Sequence, residues 1–278
     1  MKSSLPAILL LAAALSSCQS LDSNGATRGE KTAALAAHLA AWQPELLVNQ
    51  FAQPRTVQLL SNLTLDPANR RLDAASTGQA SLLTPDGYAL TAAHVLQAGP
   101  VSVLRLKSPR PGQLALTSAG PVFFNPGKPE RPTRLAIADL EALPIRLVHR
   151  FRGTDLALVK LPLNAAQTFQ LADAPPPTGS TLFSYGSNLS GNSSAGETLH
   201  VSHSRSLRPA ASLWHLNTSI PLQKGDSGGP VMDATGTLVG IVSRGRTELL
   251  ANRITSTVAV GISPTTLRKL IDADRLNH

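Results

Sequence analysis

Three stretches of this 278-residue chain carry side chains that could do chemistry together. QKGDSGGPVM (223–232) sets Ser227 among three glycines and a proline. DGYALTAAHVL (86–96) holds His94, and FRGTDLALVKL (151–161) holds Asp155. A serine hydroxyl is a poor nucleophile until a base removes its proton. A histidine can be that base, and a carboxylate on its second ring nitrogen fixes the tautomer and stabilises the imidazolium. Each stretch alone also has a plain structural reading. Gly and Pro clusters punctuate turns. A histidine after an apolar strand can be an ordinary core residue, and an aspartate heading a strand can be a turn or cap residue. The order is His, Asp, Ser, with His94 61 residues before Asp155 and 133 before Ser227.

The elements that must position these residues are short. From Arg55 onward, runs such as TVQLLSNL, YALTAA, VSVLRL, LALVKL, TLVGIVS and TVAVGI recur between Gly, Pro, Asn and Asp. They read as strands of four to eight residues. They do not alternate with helical periods, which favours an antiparallel barrel or sandwich over a βαβ fold. The proline-rich patches 108–132 and 174–178 read as surface loops or as the link between two halves. The chain closes on SPTTLRKLIDADRLNH, with Ser263 as N-cap and Pro264 at the first helical position. Leu267, Leu270 and Ile271 share one face, so a short terminal helix is expected to dock on the strands, with no further domain after it.

The N-terminus carries a different signal. Residues 1–17 run from Lys2 through an apolar stretch to small residues, which reads as a secretory signal too short for a lasting span. The stretch resembles a bacterial lipobox, which implies lipidation of Cys18, the only cysteine. Each buried methylene of such a chain contributes about 0.8 kcal/mol of membrane affinity. Gln19 stands where an aspartate would retain such proteins at the inner membrane. The expected location is therefore the cell envelope, at the outer membrane facing the periplasm. Residues 18–54 read as a tether with a short helix over Lys31–Trp42, and 55–278 as the folded domain. With Cys18 lipidated, no disulfide is available within that domain. The net charge is +8, but the basic residues are scattered with no run of five. That argues against nucleic acid as a partner.

TAAHV, GTDLALVKL and GDSGGP, in that order, resemble the chymotrypsin-fold serine peptidases. The wording is most similar to the bacterial trypsin-like and Deg/HtrA-type group. GQASLLTPDGYALTAAHV (78–95) has that group's strand, turn and strand, and the likeness runs from about residue 55 to 275. The resemblance implies an all-β fold of two antiparallel six-stranded barrels with a short C-terminal helix, the halves meeting near 165–180. It implies a peptide or protein substrate and no cofactor. It implies Ser227 as nucleophile, His94 as base and Asp155 as its orienting partner. The N–H groups of Gly225 and Ser227 would form an oxyanion hole, and Ser243 and Gly245 would pair with substrate main chain.

Some positions depart from the pattern. Asp226 matches an aspartate that relatives pair with a freed N-terminal amine, so another partner is expected here. Pro221, six residues before the serine, is not the aspartate that selects Lys or Arg. Leu222 and Val260 suggest an apolar pocket instead. Arg244 and Arg246 are either solvated cations or contacts for acidic residues at outer subsites. GDSGG also fits the G-x-S-x-G elbow of α/β-hydrolases, but that fold needs Asp and His after the serine. Only His278 follows it. No metal site is expected, since HExxH is missing and His200, His203 and His215 have no carboxylate between them. A non-catalytic binding or chaperone-like protein on the same scaffold is the alternative of another class.

Overall fold

The structure is a computed structural model. It describes residues 51–66, 68, 71–74, 76–107, 140–165, 167–186, 193–203, 213–221, 225–248 and 253–278. The expected helix at 31–42, the lipobox with Cys18, the patch 108–132 and Leu222 lie outside those residues.

The first half contains β1 (Thr56–Ser61), β2 (Thr64–Asp66), β3 (Arg71–Asp73), β4 (Ser76–Leu82), β5 (Tyr88–Thr91), β6 (Val101–Leu106), β7 (Leu140–Pro144), β8 (Arg146–Phe151) and β9 (Leu156–Lys160). The second contains β10 (Thr181–Tyr185), β11 (Ser193–His203), β12 (Leu213–Thr218), β13 (Pro230–Met232), β14 (Leu238–Glu248) and β15 (Arg253–Ile262). One helix, α1 (Pro264–Asn277), follows.

The second half closes as the resemblance implies, into a six-stranded barrel ordered β10-β11-β12-β15-β14-β13. The first half curls in the same way, with one of its six strands broken in two. It is a seven-stranded sheet ordered β7-β6-β1-β4-β5-β9-β8. The physical reason lies at Pro144 and Ile145. Proline has no N–H to donate, so a ladder breaks there. The Ile145 N–H turns to the Val101 carbonyl (3.1 Å). β7 and β8 are therefore one run of chain bent at a corner. It pairs with β6 before the bend and with β9 after it, so the sheet curls back on itself.

Both halves bury apolar strand faces. β5 and the first four residues of β9 are buried throughout, so both faces of these strands are covered, and residues of both pack in one core with the second half and the helix. One core joins Leu59, Leu90 and Leu158 of the first half to Phe183, Ile241 and Val260 of the second. A second cluster around Trp214 fills the closed barrel, with the indole N–H on the Val239 carbonyl (2.9 Å). The segment between the halves is stitched to both. Phe169 donates its N–H to Leu82, and Leu171 bridges to Leu238.

Helix α1 docks by its expected face, with Leu267 and Ile271 buried and Leu270 partly so. Ser263 keeps an extended backbone before Pro264, as an N-cap residue does, though its side chain makes no capping bond. A polar clasp locks the helix to the first half. Arg146 grips Asp274 with two bonds of 2.8 and 2.6 Å, and the Tyr88 hydroxyl donates to Asp274 at 2.7 Å. Arg275 reaches back to Asp86, which also meets Lys160.

Arg146 holds the Asp274 carboxyl well below the usual carboxylate range. A depressed folded-state value means the contribution is complete above the ordinary carboxylate pKa and is lost as pH falls through the folded value. Asp274 is only 10% exposed, so its removal strands a guanidinium and a phenol. Asp274→Ala should cost about 2 kcal/mol of stability at neutral pH. In thermal melts from about pH 6 to about pH 3, the gap between wild type and variant should narrow at the acid end. A variant that melts like wild type at neutral pH would remove the clasp from the account.

Candidate active site

Antiparallel register brings the first two residues together. Thr91 at the end of β5 pairs with Ala157 at the start of β9. The chain leaving β5 therefore emerges beside the chain entering β9. Ala93–Leu96 form a short 3-10 turn carrying His94, and Asp155 stands at the head of the buried strand. The Ala93 N–H donates to the Asp155 carbonyl (3.2 Å), and the His94 N–H donates to Asp155 Oδ1 (2.8 Å). Two backbone donors thus set the spacing before any imidazole contact. His94 Nδ1 then lies 2.7 Å from Asp155 Oδ2.

The serine arrives from the other half, on the turn before β13. Its carbonyl accepts from the Gln79 N–H on β4 at 2.7 Å. The next residue donates the other way, from the Gly228 N–H to Val242 on β14 (2.7 Å), and the Val242 N–H returns to Gly229 (2.8 Å). The turn is clamped between the halves. Gly228 has φ +85, and a Cβ there would meet the Gln79 carbonyl oxygen at 2.0 Å, so only glycine fits. Ser81 Oγ donates to the Gly228 carbonyl, and Thr91 Oγ1 to the Gln79 carbonyl (2.6 Å). Held this way, Ser227 Oγ lies 3.0 Å from His94 Nε2.

With the neutral ring, Nδ1–H donates to Asp155 and leaves the Nε2 lone pair facing the serine hydroxyl. The hydrogen bond to Asp155 raises the His94 pKa above 6.5, against the opposing effect of burial. Burial pushes Asp155 up. The bonds it accepts from His94 and Ser243 outweigh that and hold it below the ordinary carboxylate value. The Ser243 side chain was not foreseen. The sequence pointed to its main chain, yet its hydroxyl donates to Asp155 Oδ2 at 2.7 Å across 88 residues of chain. A bulge explains it. Val242 and Arg244 pair with the consecutive residues Ala259 and Val258, so Ser243 is the extra residue, turned inward and 2% exposed.

The other expected residues fall around this point. Gly225 is buried with φ 103. Asp226 is buried beside it and has partners. Gly245 lies on β14 opposite Thr257, and Pro221 is exposed. β14 pairs with β13 only as far as Ile241 and with β15 out to Glu248. Beyond Val242 its other edge meets no strand among the described residues. A cavity of about 370 Å³ opens between the halves beside Asp155. Its walls include Val260 and Ser243, together with Arg150, Arg152 and His215, which sequence reasoning did not connect with the site.

The arrangement can deprotonate a hydroxyl and stabilise the cation that results. Asp155→Asn removes the anion that raises His94, so the imidazole should titrate at lower pH than in wild type. An NMR titration of the His94 ring protons reads this without any substrate. An unchanged midpoint would mean that Asp155 does not set the ring's charge.

Residues 78–241 match the family described as "Trypsin-like peptidase domain". Among solved structures, the chain is similar to the HtrA-type protease AlgW with a decapeptide, at 17% identity and a TM-score of 0.53. That match covers 81% of this chain and 66% of the other. A variant of AlgW with a tripeptide matches at 18% identity and a TM-score of 0.51, covering 81% of this chain and 62% of the other. Rv3671c from M. tuberculosis, in an inactive form, matches at 14% identity and a TM-score of 0.50, covering 82% and 92%. The chain therefore spans less than two thirds of the AlgW chains. No curated protein sequence matches this one.

Proposed function

The chain belongs to the trypsin-like peptidase family, and from that premise we propose that it is a serine endopeptidase acting through Ser227, His94 and Asp155, held at the cell envelope by lipid on Cys18. The observation that carries the catalytic reading is the unbroken line of two short hydrogen bonds, 3.0 Å and 2.7 Å, from hydroxyl to imidazole to carboxylate. Ser227 Oγ attacks the substrate carbonyl carbon while His94 Nε2 takes its proton. The imidazolium is stabilised by Asp155, whose own position is held by the bond from Ser243. The carbonyl oxygen gathers negative charge, which the N–H groups of Gly225 and Ser227 receive; losing one such donor costs about 3–4 kcal/mol. His94 then protonates the departing amine, the C–N bond breaks, and an ester to Ser227 remains. Water, deprotonated by His94, cleaves that ester and releases the acid.

The open edge of β14 from Ser243 to Gly245 supports a substrate bound as an added strand. The peptides held by the AlgW structures fit the same substrate class. The anchor reading rests on the lipobox-like sequence and on Gln19, and places the domain on the periplasmic side of the outer membrane.

A fluorophosphonate probe should label the wild type, and Ser227→Ala should abolish labelling. Loss of Ser227 or His94 should lower turnover by a factor on the order of 10⁴–10⁶. Because Asp155 raises His94, the rate should climb with pH through a midpoint above 6.5 as the ring loses its proton. Folded wild type that takes no label would favour a binding protein on this scaffold.

The anchor has its own test. Cells fed a radiolabelled or clickable palmitate should incorporate it into wild type and not into Cys18→Ser. The variant should leave the membrane fraction. A Cys18→Ser protein that still pellets with membranes and carries label would sink the anchor.

A further inference from the structure

The cavity beside Asp155 carries charge that the hydrolytic steps leave unused. At about 370 Å³ it lies within the roughly 300–1,000 Å³ range of ligand sites. Arg150 and Arg152 reach its wall from the chain just before Asp155, and Arg244 from β14. All three are exposed, and none has an ion-pair or hydrogen-bond partner among the described residues. The only carboxylate in the wall is Asp155. Its Oδ1 accepts from the His94 backbone, and its Oδ2 from His94 and Ser243, and none of the three guanidinium groups bonds to it. His215 adds a shielded Nε2 that has no hydrogen-bond partner among the described residues. Burial and the charge of Arg244 push the His215 pKa down.

The position matters as much as the charge. Arg244 follows the bulged Ser243 on the strand whose edge is open. A peptide added along that edge, with its scissile carbonyl at Ser227, must pass this cavity. Two hydrogen bonds and an imidazole separate Ser227 from Asp155, on the order of two residues of extended chain at ~3.3 Å each. Resting on the protease reading, we infer that the cavity is a specificity subsite for an acidic side chain, Asp or Glu, two to four residues before the cut. Arg152 and Arg244 bind the carboxylate, Arg150 adds to the field, and His215 donates from the floor. Guanidinium groups suit this because their planar fork matches a carboxylate. A concave wall with three cations against one carboxylate also concentrates negative charge.

The test uses the full-length chain in detergent and pairs of fluorogenic peptides. Each pair differs only by Glu or Gln at the second, third or fourth residue before the cut. The readout is the Glu-to-Gln ratio of kcat/KM. Wild type should favour Glu on the order of tenfold at one of these positions, and the preference should shrink as salt is raised. The ratio should fall towards one in Arg152→Gln/Arg244→Gln. Arg244→Glu should shift the choice towards a Lys peptide, which a merely folding-related role would not do. A wild-type ratio of one, or a ratio indifferent to both variants, overturns the subsite while fluorophosphonate labelling of Ser227 leaves the protease reading standing. Failure of both labelling and cleavage takes the two down together.

Discussion

Asp155 is the pin on which the rest of this structure turns. One carboxylate accepts three hydrogen bonds: from the backbone and ring of His94 in its own half, and from Ser243 in the other. A half-buried anion is costly to desolvate, and these donors offset that cost. The same bonds orient the imidazole, fix its tautomer and fasten the bulge in β14. Structure and chemistry therefore depend on a single charged group.

The two halves share the work unequally. The first supplies imidazole and carboxylate from neighbouring strands whose register makes their meeting automatic. The second supplies the hydroxyl on a turn that depends on partners in both. Gln79 holds the Ser227 carbonyl from one side, and Val242 holds Gly228 and Gly229 from the other. The core that runs through both halves keeps these contacts from sliding, since a packed interior resists small displacements. The clasp at Tyr88, Arg146 and Asp274 extends the same logic to the helix, tying the end of the chain to the strand that leads to His94.

The bulge at Ser243 links the Asp155 contact to the open edge of β14. By turning one residue inward it spends a side chain on Asp155 and leaves the strand edge beyond it open. That edge begins where the arginine-lined cavity begins. On the proposed reading, reaction centre and recognition surface share one irregularity of one strand.

Much of this was legible in the residues themselves. Strand content, the docked helix face of Leu267 and Ile271, and the candidate group of serine, histidine and aspartate are properties of local pattern and residue type. Hydrophobic period and turn chemistry act over a few neighbours, so they can be read along the chain. The corner at Pro144, which turns one strand into two, was missed because the break matters only once its partners β6 and β9 are known. The Ser243 hydroxyl was not foreseen for a similar reason: its direction depends on a register shift against β15. The arginines looked like dispersed surface charge until folding set them around one hollow. Sequence alone determined which atoms could react and which faces would be buried. Only the tertiary structure decided which distant groups touch, because contact across 61, 88 or 133 residues depends on register, bulges and the packing of two halves, none of which is a local property of the chain.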